Sequence, residues 1–120
     1  MQFAARIAVA VVALLHLGIL LLEMFLWNTP TGHRIFAMTP EVAASSQVLA
    51  MNQGLYNGFL AAGLGWGLVA NRRDVMLFFL ACVVVAGVFG GITTKASILV
   101  TQSLPAVVAI ALVLLATRKG

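Results

Sequence analysis

Four long apolar runs occupy almost the whole of this 120-residue chain, with only short polar breaks between them. Residues 3–27, 47–70, 75–94 and 98–117 each come close to the roughly 20 residues that carry a helix across the hydrocarbon of a bilayer. Inside a bilayer the backbone finds no water, so such a run closes its own hydrogen bonds as a helix. The short breaks after the second and third runs then force neighbours to be antiparallel. The expected fold is all-α: an integral-membrane, antiparallel four-helix bundle in which residues 1–120 form a single transmembrane domain. Composition agrees. Hydrophobic residues make up 62%, mean hydropathy is +1.10, and seven cations and three carboxylates are too few to cover a water-soluble surface.

The same facts exclude several functions. The formal charge of +4 is scattered among apolar runs and makes no basic patch, so no nucleic acid is expected as a partner. The cations read instead as anchors to headgroups of the lipid bilayer. Cys82 is the sole cysteine and lies within a run, which rules out a disulfide framework and metal-ligand spacing; it reads as a small packing residue. Arg6 precedes an apolar stretch, but the stretch is too long for a signal-peptide core and no small-x-small cleavage site follows it. It reads as a retained first span.

The breaks carry their own signals. Trp27 suits the headgroup interface, and Pro30 reads as a stop to the first helix. Residues 28–46 form the one lengthy polar segment, and Thr39-Pro40-Glu41 predicts a helix start with Thr39 as N-cap and Pro40 at N1, hence a short interfacial helix leading into span two. Tight turns are expected at residues 71–74 and 95–97. Arg6, Arg72, Arg73, Arg118 and Lys119 fall on one side of the bundle and Arg34 and Lys95 on the other, which places both termini in the cytoplasm. The expected location is a cell membrane, the bacterial inner membrane.

At 100° per residue, Gly54, Gly58, Ala61 and Gly65 share a narrow stripe of span two. Span three carries Val83, Gly87, Gly90, Gly91 and Thr94 at helical spacing. Small residues let backbones approach closely where lipid supplies no hydrophobic force. These faces therefore read as helix packing within the chain or in a homodimer.

Ionisable groups within spans need a reason. Span one has two, His16 and Glu23, on one face and about 10 Å apart along the axis. Span two adds Asn52, Gln53, Tyr56 and Asn57; Lys95 ends span three, and Gln102 lies at the start of span four. Counted from the span ends, Glu23, Asn52 and Gln53 sit level near the outer face, with His16 and Asn57 near the midplane. Polarity is thus confined to the outer half. Pro105 cannot donate to the Thr101 carbonyl, which leaves an acceptor near Gln102 and predicts a kink. Two readings follow. The groups satisfy one another, with Glu23 paired to Lys95 or accepting from Asn52 and Tyr56, and His16 bonded to Asn57; or they bind a ligand or handle protons. His33, on the loop, reads as solvated.

The strings His16-Leu17-Gly18-Ile19 and Leu22-Glu23-Met24-Phe25-Leu26-Trp27, then Asn52-Gln53-Gly54-Leu55-Tyr56-Asn57-Gly58-Phe59-Leu60-Ala61-Ala62-Gly63, are distinctive. With Val85-Ala86-Gly87 and Gln102-Ser103-Leu104-Pro105-Ala106, they resemble domain of unknown function family 1304, small bacterial and fungal membrane proteins. The resemblance covers nearly the whole chain. Many relatives have an acidic residue beside the first-span histidine, where this chain has Leu15 and Leu17. Some carry an epimerase label. This chain has no dinucleotide fingerprint and no acid–base pair flanking a carbon centre to match it.

Two functional classes are in view. One is a transporter or binder of small amphiphilic or cationic molecules, with a passage formed between the subunits of a homodimer. Glu23 is then the coupling carboxylate, an architecture analogous to the small multidrug resistance transporters but without their motifs. The other is a membrane enzyme or redox subunit acting on a lipid or quinone, with His16 and Glu23 as acid–base groups and Tyr56 and the amides orienting a headgroup. No cofactor is predicted; haem would need Met24 or Met51 as the partner of His16. A non-catalytic accessory subunit docking a larger protein is a third reading.

Overall fold

The computed structural model describes residues 2–118, and Lys119 of the charge tally lies outside them. The chain is all-α, with no strand among the described residues. Five helices follow one another: α1 (Phe3–Met24), α2 (Pro30–Ile35), α3 (Pro40–Val69), α4 (Arg73–Thr93) and α5 (Leu104–Arg118), the last preceded by a π-helical turn at Leu99–Ser103.

Helix ends follow from local chemistry. The Thr39 hydroxyl accepts from the Val42 amide at 3.2 Å, so Thr39-Pro40 does start a helix, and that helix runs unbroken to Val69 rather than pausing before residue 47. Thr29-Pro30 is the same signal. The Thr29 hydroxyl accepts from the Gly32 amide, and Pro30 opens α2 instead of merely ending α1, which stops at Met24. Both α2 and α3 close with a left-handed residue, Ala37 at φ 51° and Asn71 at φ 52°. In each case the next amide reaches back five residues, Met38 to the His33 carbonyl and Arg72 to that of Gly67, so orphan carbonyls are satisfied without glycine.

Among the described residues, three helical stretches are long and apolar enough to cross a membrane: Phe3–Met24, Arg73–Thr93 and Leu99–Ala116. The longest helix, α3, is not among them. Asn52, Gln53, Tyr56 and Asn57, with glycines on either side, lower its hydropathy.

The chain divides into two compact units. One comprises Met1–Leu14 and Leu60–Gly120. Its core is almost wholly aliphatic: Ala5, Val9 and Val12 on α1, Met76, Leu80 and Val83 on α4, and Ala106, Ala109 and Val113 on α5, joined by Leu64 of α3. Each set recurs every three or four residues, so each helix turns one stripe inward. A Cβ at Gly87 would collide with Ser103, so glycine is what lets α4 lie against the π-helical turn, where the buried Ser103 hydroxyl donates to the Val84 carbonyl at 3.4 Å. Pro105 lies two residues beyond Ser103, in the first turn of α5, so the π turn is the irregularity that precedes it. Arg6, read as a headgroup anchor, donates to the Leu68 carbonyl at 2.8 Å and to Asn71 at 3.3 Å, capping the end of α3. Arg72 pairs with Asp74 at 2.8 Å and lies over the Trp66 ring.

The other unit is Leu15–Phe59. It holds the end of α1, all of α2 and the first two-thirds of α3. Its linker is folded rather than loose: the Trp27 indole donates to the Ser46 hydroxyl at 3.0 Å and its ring packs on Phe36 with centroids 4.6 Å apart. His33, read as solvated, bonds Asn28 at 2.9 Å.

Candidate functional site

The fully buried residues of Leu15–Phe59 are His16, Glu23, Gly32, Ala43, Ala50 and Gly54. Two are titratable and the rest are alanine or glycine, so no large aliphatic side chain is fully buried there. Small residues bring the backbones together: a Cβ on Gly54 would lie 2.6 Å from Met24 Cγ and 3.2 Å from Glu23 Cβ, and one on Gly58 would lie 2.7 Å from Leu20 Cδ1. α3 therefore lies close along the end of α1, with Gly54 directly beside Glu23.

That approach sets the register, and the register selects the partner of Glu23. The Asn57 side-chain nitrogen donates to Glu23 Oε1 at 2.6 Å and also to the Gln53 carbonyl one turn earlier at 3.1 Å. Both amide hydrogens are thereby used, and the bond to its own helix fixes the rotamer that points the other hydrogen at the carboxyl group. Glu23 is 7% exposed and His16 2% exposed. A carboxyl group withdrawn from water and met by a neutral amide keeps a demand for positive charge that a proton or a cation satisfies.

The other expected lining residues are distributed differently. Asn52 and Gln53 are exposed, and Tyr56 is exposed with its ring edge-on to Phe59 at 5.8 Å. Lys95 stands exposed in the turn after α4, and Gln102 is half-buried in the π-helical turn; both belong to the other unit. Glu23 thus takes its hydrogen bond from Asn57, the residue counted as deeper, and not from Asn52 or Tyr56. Around Asn52 lies an open groove of about 540 Å³ lined by Met24, Val48, Leu49, Met51, Asn52 and Leu55, apolar but for the one amide.

Two features were missed at the level of sequence. Helix α2 was announced by Thr29-Pro30, the pattern recognised ten residues later at Thr39-Pro40. The Trp27–Ser46 bond carried no comparable signal, because a tryptophan at a span end reads as an interfacial residue.

Residues 10–114 match the family described as Protein of unknown function (DUF1304). The chain belongs to this family. The Uncharacterized protein YpaA of Lactococcus lactis subsp. lactis (strain IL1403) is 30% identical over 103 residues, covering 82% of this chain and 87% of that protein. No solved structure matches the chain. The matched span takes in His16, Glu23, Asn57 and all of α2, α3 and α4, so the Glu23–Asn57 contact lies wholly within the family region.

Proposed function

We propose that the chain is a multi-pass integral protein of a cell membrane, an antiparallel bundle of four crossing helices, which binds a small amphiphilic or cationic molecule at Glu23 and couples its movement to a proton. Three membrane-capable helices support the first part, as do large apolar side chains left on the surface, among them Val69 at 90%, Val48 at 81% and Ile92 at 79% exposure. Helix α3 supplies the fourth crossing. At 1.5 Å per residue its 30 residues extend about 45 Å, enough for a bilayer core with its polar stretch off centre. The excess of Arg and Lys at the ends shared by the two termini favours a cytoplasmic position for both.

The observation that carries the functional part is the buried Glu23 carboxyl group held by the doubly anchored Asn57 amide. Proton and cation compete for one carboxylate, which is the elementary requirement for exchange. The test is proton release from purified, detergent-solubilised protein on addition of tetraphenylphosphonium, a lipophilic cation probe. Wild type is expected to release protons in proportion to the probe bound, and Glu23→Gln to release none while keeping its helical content. Release undiminished in Glu23→Gln removes Glu23 as the coupling group.

A further inference from the structure

Asn52 takes no part in the Glu23–Asn57 contact and lies on the outer surface of α3, within a row of exposed side chains that has a definite pattern. Ser45, Val48, Asn52, Leu55 and Phe59 are all exposed, and they follow one another at intervals of three, four, three and four residues. That is the spacing of a seam along which one helix packs on another. Asn52 sits in its middle, at a position equivalent to the single buried asparagine that fixes register and favours two strands in coiled coils. The open groove surrounds this same residue.

On the reading above that α3 crosses a membrane, lipid tails offer the Asn52 amide no hydrogen-bond partner. Most glycines are already engaged within the chain. Gly54 and Gly58 meet α1, Gly63 meets the Phe79 ring, Gly67 meets Met76, and Gly87 meets Ser103. The seam carries no formal charge, which disfavours an ionic partner. A carboxamide has two donor hydrogens and an accepting oxygen, so it is complementary to a copy of itself across a two-fold axis.

We infer that the Asn52 seam of α3 is the interface between two copies of this chain, with Asn52 bonded to its counterpart and Val48, Leu55 and Phe59 packed against theirs. The groove around Asn52 receives the partner helix. This inference rests on the membrane-spanning reading and is independent of any role for Glu23.

The test uses full-length chain carrying Cys82→Ser, with single cysteines introduced by Val48→Cys or Phe59→Cys on the seam and by Phe78→Cys on an exposed face of α4. Membranes are first washed with alkaline carbonate and then oxidised with copper–phenanthroline. The protein is expected to stay in the pellet, and the two seam cysteines to give a disulfide-linked dimer that the α4 cysteine does not give. Adding Asn52→Leu is expected to weaken dimerisation about 3- to 30-fold, the range for one interhelical polar contact, whereas Asn52→Gln keeps it. Protein retained in the pellet without preferential seam cross-linking overturns the interface alone, as does cross-linking indifferent to Asn52→Leu. Protein released by carbonate overturns the membrane-spanning reading and the interface together.

Discussion

In the unit built mainly from α4, α5 and the end of α3, the core is a run of Val, Leu, Met and Ala side chains, with Ser103 as its buried polar residue. In Leu15–Phe59 the buried positions are His16, Glu23 and a set of alanines and glycines. Both units hold helices side by side and both use glycine for close approach, at Gly63, Gly67 and Gly87 in the first and at Gly54 and Gly58 in the second, but the first adds a layer of interdigitating aliphatic side chains whereas the second closes around polar groups. An aliphatic core resists change because every lost methyl leaves a void. A polar interior contributes less packing, and its buried groups must each be satisfied. The difference teaches where to look for function: among the described residues, the region with least aliphatic packing holds the buried titratable side chains, His16 and Glu23.

The comparison can be broken or sharpened by substitution. Leu80→Ala, at a fully buried position of the aliphatic core, is expected to cost about 2–5 kcal/mol. Denaturant unfolding of the solubilised protein measures it, and a loss below about 1 kcal/mol would mean that α4 is not packed as described. Asn57→Leu leaves Glu23 Oε1 without its donor and is expected to cost about 1–3 kcal/mol, and to lower probe-linked proton release as well. A stability loss with unaltered proton release would make Asn57 a packing residue only. The smallest effects separate two glycines of one helix. Gly54→Ala forces its new Cβ against Met24 and Glu23 and is expected to destabilise by about 1 kcal/mol. Gly65→Ala meets nothing within 4 Å and is expected to stabilise by about 0.5–1 kcal/mol through helix propensity. Equal responses in the two would show that α3 does not lie against Met24 and Glu23 as closely as described at Gly54.

Much of this organisation was legible in the residues. Apolar run length gave the positions of α1, α4 and the α5 region to within a few residues, because hydropathy and helix length answer to the same constraint. Thr39 and Pro40 gave the start of α3, since capping is a local event. Glu23 and Asn57 were both named as site residues, but their pairing was not legible. Depth counted from span ends put Asn52 level with Glu23, whereas the register is set by Gly54 and Gly58 lying against Leu20, a packing fact that no count along one helix contains. The outward placement of Asn52 has the same origin: once Gly54 faces α1, Asn52 must face away, since two residues turn a helix by about 200°. Arg6 was read by its charge as an anchor, and its role as a cap depends on where α3 ends in space.

The central claim is that Glu23 binds rather than merely fastens helices. The most direct measurement is native mass spectrometry of the protein released gently from membranes, comparing wild type with Glu23→Gln. A defined adduct on wild type that is absent from the variant, with both forms equally folded, is the predicted result. No adduct on either form, together with a less stable Glu23→Gln, would contradict it and leave the Glu23–Asn57 contact as a structural bond between α1 and α3.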